Sequence, residues 1–212
     1  VCELRPETLP EKALHETRLR TLDWMGCALG AVGSPAFAKM PHLSDRFGGA
    51  EQCTLIGRRK KTSLPNAVFV NAASGHILEF DDGNKISISH PGAAVIPTAL
   101  AGGELVQANY EQYAAAVTAG YEVVVRLGAV LNPSLYDYWH TTSACGIFAA
   151  AVTAGKLLGL DAESMERGMS AAAMMASGLV FGFGTDAKLV NVGHAAAAGA
   201  LAALLAAEGF SA

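Results

Sequence analysis

The sequence predicts a mainly α-helical protein, and three observations support this fold class. Hydrophobic residues make up 51% of the 212 residues and charged residues only 16%, which is typical of a globular chain with one sizeable core. Ala and Gly are abundant, so that helices can approach one another closely. The sequence has no alternation of strands and helices, no repeat at a fixed period and no G-x-G-x-x-G loop. We therefore expect residues 1–212 to form a single helical domain.

The first half of the chain predicts two helices and a short strand. Apolar residues follow a helical period over 10–32, and glycines followed by Pro35 end this helix, so that a loop is predicted to about residue 50. Residues 53–57 form a short apolar run that is typical of a lone strand. The run 65–80 is compatible with a helix that has a proline in its first turn.

The second half predicts a series of helices after a polar loop that closes at residues 90–92. Asp161 can cap one of them, because its carboxylate accepts from the free backbone N–H groups of a first turn. The predicted helices are 93–106, 110–131, 143–158, 162–179 and 194–208.

Two long uncharged stretches, 168–185 and 189–207, have the length of a membrane span. Both consist mainly of Ala, Gly and Ser, and Asn191 and His194 interrupt the second, so the transfer free energy into lipid is weak. We interpret both as buried helices of a soluble protein and expect no membrane partner. A membrane protein is the alternative that hydropathy alone would support.

Charge and cysteine content argue against several other classes of protein. The net charge is −4, and the basic run 58–61 has no interleaved aromatic residues, so we expect no nucleic-acid partner. This run is either a solvated loop or a docking site for an anionic ligand. The four cysteines form no C-x-x-C pair, which indicates reduced thiols in the cytoplasm. The chain starts at Val1 without a leader, which suggests a piece of a longer protein.

The first candidate site is the segment 76–92, which contains His76, Glu79, Asp81, Asp82 and His90. Three carboxylates within four residues repel one another, so burial would require a cation, a metal or a raised pKa. The segment is either a functional site or an exposed acidic helix end. Its spacing matches no strong metal motif such as H-E-x-x-H, and we predict no bound metal.

The second candidate site is a predicted helix start that follows His140. Its first residues, Thr141, Thr142 and Ser143, combine hydroxyl groups with free backbone N–H groups, which together can bind a carboxylate. Alternatively, Ser143 caps the helix and His140 is a polar loop residue.

The third candidate is Lys188, the only lysine or arginine after Arg167. It lies in a strongly apolar region, so its ammonium group needs an anionic partner. That partner is either a substrate carboxylate or the neighbouring Asp186.

The order of these motifs resembles the MmgE/PrpD family, which contains 2-methylcitrate dehydratase, cis-aconitate decarboxylase and iminodisuccinate epimerase. The family's Asn, His, acidic-aromatic-Asp-Asp and His-Pro-Ser/Gly motifs are similar to Asn71, His76, 79–82 and 90–92. Its Gly-Tyr-Glu-Val, His-Thr/Ser-Thr, Lys-Leu-Leu-Gly-Leu-Asp and Lys-x-x-His-x-Gly-x-Ala-Ala motifs are similar to 120–123, 140–143, 156–161 and 188–196. The resemblance covers essentially the whole chain.

The resemblance implies the helical part of a longer enzyme, with an α/β lid domain and a second helical segment outside this chain. It implies cofactor-free acid–base chemistry next to a carboxylate, and dehydration of a small di- or tricarboxylate is the first hypothesis. Decarboxylation and epimerisation share the early proton transfer, and a non-catalytic helical dimerisation unit is an alternative of a different class. The apolar content also predicts a homodimer.

Carried over by position, the family's pattern implies that the catalytic residues are His90, His140, Lys188 and Glu79. The residues expected to bind substrate are Asp81, Asp82, Thr141, Thr142 and Asn191. Glu79 stands where the family usually has Asp, Gly83 where Thr is frequent, and Asn191 where a second His is usual. These departures change the reach of one carboxylate and remove two hydrogen-bonding groups, which leaves open a substrate other than 2-methylcitrate or cis-aconitate.

Overall fold

The computed structural model describes residues 1–212, apart from the side chain of Pro41. Helices contain 68% of the residues and strands 4%, which confirms the mainly α-helical prediction. The α-helices are α1 (Glu11–Gly30), α2 (Pro35–Phe47), α3 (Leu64–Gly75), α4 (Pro91–Val106), α5 (Tyr110–Leu131), α6 (Thr141–Leu157), α7 (Ala162–Met175) and α8 (Ala187–Ala207). Short 3-10 turns lie at Pro6–Thr8, Ser134–Asp137 and Val180–Gly182.

The core is built around α6, which packs against α4, α5, α7 and α8, while α8 also contacts α3. Small residues make this packing close. Gly199 of α8 faces α6, and a Cβ at this position would overlap the carbonyl oxygen of Ile147. The abundance of Ala and Gly in the sequence is therefore explained by short distances between helix backbones.

Helix α2 replaces the loop that was predicted for residues 33–50, and that prediction was wrong. The Ser34 side chain accepts a hydrogen bond from the N–H of Phe37, and Pro35 occupies the first turn. Phe37 and Met40 are buried, and α2 packs on α3. Pro35 was interpreted as a terminator of α1, but a proline after a serine cap equally begins a new helix.

Two other boundaries differ from the prediction and change the candidate sites. Helix α3 ends at Gly75, before the predicted residue 80, so the segment 76–82 lies in turns and not at a helix end. Helix α8 begins at Ala187, well before the predicted residue 194, because the Thr185 hydroxyl accepts from the N–H of Ala187 at its start. Lys188 therefore lies in the first turn of α8.

The strand expected at 53–57 is β1 (Cys53–Thr54), which pairs antiparallel with β2 (Lys61–Thr62). The basic run 58–61 thus forms the hairpin turn and the start of β2. Lys60 pairs with Asp45 at 2.5 Å and Lys61 with Glu104 at 2.5 Å, and these four side chains are partly exposed. Exposed pairs of this kind contribute about 0–1 kcal/mol each, so the hairpin behaves as a solvated loop.

Two helices of the described chain, α5 and α8, are long and apolar enough to cross a membrane by length and composition. In their most apolar windows, 50% of α5 and 61% of α8 is buried against the rest of the fold. The stretch 168–185 is divided between α7 and the segment that follows it. Burial to this extent is what the core helices of a compact fold show.

Candidate active site

The candidate site lies where the α3–α4 loop (76–90) meets the starts of α6 and α8. A cavity of about 450 Å³ opens between these elements. The α3–α4 loop contributes His90, α6 and the residue before it contribute Thr142 and His140, and α8 contributes Lys188. The structure therefore brings four of the residues chosen from the sequence to one cavity.

Hydrogen bonds within the α3–α4 loop hold its second half against α5. The side-chain oxygen of Asn84 accepts from the N–H groups of Ile86 and Ser87 at 3.0 Å. The Asn132 side chain donates to the carbonyl of Ser87 at 2.7 Å, and Gly128 of α5 leaves no room for a Cβ next to Ser87. This half of the loop is thus fixed to α5.

Two residues of the α3–α4 loop are strained. Glu79 and Ile88 each have a φ of 49°, the left-handed region that non-glycine residues rarely adopt. The conformation costs about 1–2 kcal/mol per residue, and it persists where the surroundings fix it. At Glu79, the strain accompanies a specific contact, the ion pair with Lys188.

Asp81 links two imidazoles at the base of the site. Its side chain is fully buried, and both carboxylate oxygens lie 3.0 Å from Nδ1 of His76. Nδ1 of His90 lies 3.3 Å from the Asp81 carbonyl oxygen and 3.7 Å from Oδ1. An ionised carboxylate only accepts, so this geometry favours a proton on each Nδ1. Nε2 of His90 then stays free on the opposite edge of the ring.

His140 is a buried, neutral imidazole. It forms the N-cap of α6, and its backbone N–H donates to the carbonyl of Gly178. Burial lowers the pKa of His140 to about 3, and the proximity of His76, Lys188 and His90, which opposes a further positive charge, lowers it in the same direction. Its ring lies 5.1 Å from that of Phe183, edge to face, and Nδ1 has no hydrogen-bond partner among the described residues.

Lys188 carries a buried ammonium group whose carboxylate partner is exposed. Its Nζ lies 2.8 Å from Oε2 of Glu79, and the Glu79 side chain is 55% exposed. The hydrogen bond from Lys188 lowers the pKa of Glu79 more than any other interaction does. Nζ also lies 5.0 Å from the ring centre of Phe183, within the range of a cation–π contact. The alternative partner, Asp186, pairs with Lys39 at 2.5 Å, so that alternative was wrong.

The hydroxyl groups at the start of α6 have three different roles. Thr142 lines the cavity, and its Oγ1 accepts from the backbone N–H of His90 at 3.1 Å. Thr141 is buried and contacts the side-chain oxygen of Asn132 at 3.3 Å, outside the cavity lining. Ser143 donates to carbonyls and does not cap the helix, because the N-cap is His140.

Asp82 and Asn191 also lie outside the cavity lining. The Asp82 carboxylate accepts from the Tyr121 hydroxyl at 2.8 Å and from the N–H of Gly92 at 2.9 Å, and burial raises its pKa. The Asn191 side chain donates to the carbonyl of Leu179 at 3.2 Å. Both side chains support the backbone around the site, and the structure does not bring them to the cavity.

His76, Asp81 and His90 also have donor atoms within 4.8 Å of one another, a spacing that a metal ion could bridge. The 3.0 Å separations between His76 and Asp81 are ordinary hydrogen-bond lengths. Hydrogen bonding alone therefore accounts for the arrangement of these side chains.

Several residues that the structure places at the site had no role predicted from the sequence. Lys85, Tyr136 and Phe183 line the cavity, and His76 lies behind it in contact with Asp81. Phe183 had a local signal, because glycines flank it on both sides at 182 and 184. Lys85 lies in the α3–α4 loop and Tyr136 in the short 3-10 turn Ser134–Asp137, and in neither segment can side-chain direction be deduced from spacing.

A larger groove of about 730 Å³ lies between α1, α4 and α5. Its lining includes Arg18, Leu22, Tyr110 and Tyr113, and none of its described lining residues is a histidine or lysine. The smaller cavity is the better candidate active site because it combines imidazoles with a buried ammonium group.

Comparison with known proteins identifies what the chain is similar to. The family model described as the MmgE/PrpD N-terminal domain matches residues 1–212. The cis-aconitate decarboxylase of Aspergillus terreus is 29% identical over an alignment that covers 99% of this chain and 44% of that protein. The cis-aconitate decarboxylases of Mus musculus and Homo sapiens are 26% and 25% identical, over 96% and 93% of this chain and 43% and 42% of theirs. The chain thus spans less than half the length of these curated relatives.

Proposed function

Because this chain belongs to the MmgE/PrpD family, we propose that it forms the helical wall of an active site for acid–base chemistry on a small di- or tricarboxylate. Decarboxylation of cis-aconitate or a close analogue is the first reaction to test, since the relatives named above are cis-aconitate decarboxylases. Dehydration of a 2-methylcitrate-like substrate, the first hypothesis from the sequence, becomes the second. Epimerisation next to a carboxylate is the third.

One observation carries this proposal: the buried ammonium group of Lys188 and the imidazoles of His90 and His140 share a cavity of about 450 Å³. An ammonium group out of water forms strong, charge-assisted hydrogen bonds with carboxylates. Glu79 holds that ammonium group from an exposed position, where a substrate carboxylate can replace it. Lys188 is thus proposed to anchor the substrate.

His90 is proposed to transfer the proton. The Nδ1 proton of His90 points toward Asp81. Nε2 of His90 is therefore free to accept a proton from a substrate carbon or to deliver one to it. In a decarboxylation, the C–C bond to one carboxylate breaks and carbon dioxide leaves. The electron pair of that bond moves toward a second carboxylate, which Lys188 holds, and protonated His90 delivers its proton to the carbon next to this second carboxylate. In a dehydration, His90 takes the carbon-bound proton, the electron pair of the C–H bond forms the C=C bond as the C–O bond breaks, and His90 returns the proton to the leaving hydroxide, which departs as water.

His140 is proposed to hydrogen-bond the substrate as a neutral group. A histidine with a pKa of about 3 is a weak base, but a substrate carboxylate beside it would raise the pKa and let it share a proton. Thr142 keeps the backbone of His90 fixed to the start of α6. The hydroxyl oxygen of Thr142 thus positions His90, while its O–H remains available to donate to a substrate in the cavity.

The test is incubation of the full polypeptide in deuterium oxide with cis-aconitate, 2-methylcitrate, citrate and iminodisuccinate, followed by NMR. We expect one of them to yield a product with deuterium next to a carboxylate, and we expect His90→Gln and Lys188→Met to abolish this signal. Lys39→Met is the matched control, because Lys39 forms an exposed ion pair outside the cavity. Absence of exchange and product with every substrate, in a protein shown to be folded by circular dichroism, would contradict the proposal.

A further inference from the structure

We infer that His76 is a positioning residue of this site: it fixes Asp81, whose backbone carbonyl oxygen lies 3.3 Å and whose carboxylate lies 3.7 Å from Nδ1 of His90, so that His90 keeps its proton on Nδ1 and presents Nε2 to the cavity. His76 does not line the cavity, so it acts through Asp81 and not on a substrate. The inference rests on the proposed function only for the role of His90 in proton transfer. Which ring nitrogen of His90 carries the proton can be measured without any substrate.

The first argument is the hydrogen bonding of Asp81. A buried carboxylate is costly unless donors compensate for its lost water, and the side chain of Asp81 is fully buried. Nδ1 of His76 is its nearest donor in the described chain, at 3.0 Å from both oxygens. Without this donor, the carboxylate would rotate toward another donor, and the direction in which it faces His90 would change.

The second argument is the position of His76 between the other two imidazoles. Its ring contacts the ring of His90 edge on, with centroids 4.9 Å apart and planes at 73°. It stacks on the ring of His140, with centroids 5.9 Å apart and planes at 29°. One fully buried side chain therefore sets the location of both histidines that line the cavity.

The third argument is that the fold fixes His76 from behind. His76 is the residue that follows the last turn of α3, and its carbonyl accepts from the N–H of Glu79. The preceding Gly75 packs so tightly on the indole of Trp24 in α1 that a Cβ would overlap it. Helix α1 therefore determines where α3 ends and where the His76 ring begins.

The protonation of His76 follows from these contacts. A neutral ring that donates from Nδ1 to Asp81 leaves Nε2 as an acceptor, and this atom is buried without a partner among the described residues. The titratable groups that face the ring are Asp81, His90 and His140, with the Lys188–Glu79 pair beyond them. Asp81 is the one carboxylate in direct contact, so the Nδ1 proton is held there.

The experiment is NMR of the full polypeptide with 15N-labelled histidine, titrated from acid to alkaline pH, with His90 assigned by its loss in His90→Gln. In the unmodified protein, we expect neutral His90 to carry its proton on Nδ1. In His76→Leu, we expect His90 to shift toward the Nε2–H form. His76→Asn should restore the original state, because its amide can donate from near the place of Nδ1.

Two further variants separate positioning from folding. Asn71→Ala is the matched control, because Asn71 is also buried on α3 but bonds Thr54 and Ile56, away from Asp81. It should destabilise the protein and leave His90 unchanged. If His76→Leu does not fold, His76→Gln replaces it, because its longer side chain does not hold the amide donor where Nδ1 of His76 lies. His76→Gln should then change the His90 signal as His76→Leu would, whereas His76→Asn should not.

Kinetics provide the second readout. On the substrate found for the full polypeptide, His76→Leu should lower kcat about 10- to 100-fold, keep KM within about threefold and shift the pH profile of kcat/KM. An unchanged His90 tautomer signal in folded His76→Leu would overturn the inference. A different result would contradict the proposed function alone: the unmodified protein shows no turnover, although the His90 signal changes in His76→Leu as described.

Discussion

Asp81 and Asp82 are neighbours in the sequence but have different environments. Asp81 faces the imidazoles of His76 and His90, whereas Asp82 faces the Tyr121 hydroxyl and the N–H of Gly92 at the start of α4. The turn between α3 and α4 sends the two carboxylates in different directions. This separation also relieves the like-charge repulsion that the sequence suggested for the acidic cluster.

At the residue scale, Asp82 makes stability depend on pH. Burial raises the pKa of Asp82 in the folded protein above the value of about 3.8 that this carboxyl group has in the unfolded chain. Its contribution to stability is therefore complete below pH 3.8 and is lost as the pH rises through the higher pKa of the folded state. Asp82→Asn removes the charge: its amide oxygen can accept from the N–H of Gly92, and its amide nitrogen can donate to the Tyr121 hydroxyl oxygen in place of the bond that Asp82 accepts. We expect the free energy of unfolding of Asp82→Asn, relative to the unmodified protein, to increase from pH 4 to pH 7, by about 1.4 kcal/mol per unit of pKa shift.

The measurement is urea unfolding at several pH values. Asp45→Asn is the control with the opposite sign, because the hydrogen bond from Lys60 lowers the pKa of Asp45. The contribution of Asp45 is present above its unfolded pKa and is lost as the pH falls through the folded value. A difference between Asp82→Asn and the unmodified protein that does not change with pH would show that Asp82 is not destabilised by burial.

Lys188 is expected to dominate carboxylate binding at this site. A hydrogen bond to a charged group contributes about 1.5–3 kcal/mol, so Lys188→Met should weaken binding of a competitive tricarboxylate such as citrate about 10- to 100-fold. Isothermal titration of the full polypeptide measures this without any need for turnover. Lys39→Met should bind citrate as the unmodified protein does, and equal affinities for all three proteins would remove Lys188 from the anchor role.

The sequence could predict the site residues that are attached to regular elements. His140 immediately precedes α6, and His90 immediately precedes a proline that begins α4, so the sequence could place both at helix starts. Lys188 lies in the first turn of α8, ahead of the predicted start at residue 194, and only the order of the motifs grouped it with the two histidines. Asp82 and Asn191 were expected in the site and lie outside it, because the direction of a side chain in a turn, or on a helix whose start is misplaced, does not follow from spacing.

At the element scale, the contact between α6 and α8 depends on glycine. A Cβ at position 199 would overlap the carbonyl of Ile147 and the Cβ of Ala150, and neither atom can move freely. We expect Gly199→Ala to lower the free energy of unfolding by about 1–3 kcal/mol through overpacking. Thermal and chemical unfolding check this.

Gly168 is the matched control for this prediction, since it lies in α7 and also faces α8. A Cβ there would meet the Cβ of Ala206 at 3.5 Å, an ordinary contact. Gly168→Ala should therefore stabilise the protein by about 0.5–1 kcal/mol, because alanine favours a helix over glycine. If Gly199→Ala were as well tolerated as Gly168→Ala, the close approach of α6 and α8 would not be limited by position 199.

The helices themselves were largely predictable, and the missed helix starts have a local cause. Helix α5 has the predicted bounds because Asn109 and Gln112 form a capping box before a long apolar run. Helix α2 was missed because a local cap at Ser34 starts it in a segment rich in proline and glycine. The first turns of α8 were missed because the helix begins directly after a glycine-rich segment, where the Thr185 hydroxyl accepts from the N–H of Ala187. Caps depend on one or two side chains, and a periodicity argument does not detect them.

At the scale of the whole molecule, apolar side chains are exposed on α1. Leu19, Leu22 and Leu29 are 42%, 70% and 52% exposed, and together with Gly26 they follow the three- and four-residue spacing of one helix face. This face borders the groove between α1, α4 and α5. A continuous apolar stripe on a surface helix is typical of a protein–protein contact, and its spacing matches that of helices that pair side by side.

We therefore predict that the full polypeptide is a homodimer that pairs through α1. A two-fold axis would place the stripe of one copy against the same stripe of the other, where Gly26 allows close approach because no atom lies within 4 Å of its Cβ position. Light scattering should give twice the mass of the polypeptide, and Leu22→Asp should reduce it to a single mass. Phe181→Asp, at an 85% exposed position next to the candidate site, should leave the dimer intact. A monomeric mass for the unmodified protein would refute dimerisation, and a dimer that survives Leu22→Asp but not Phe181→Asp would move the interface from α1 to the rim of the site.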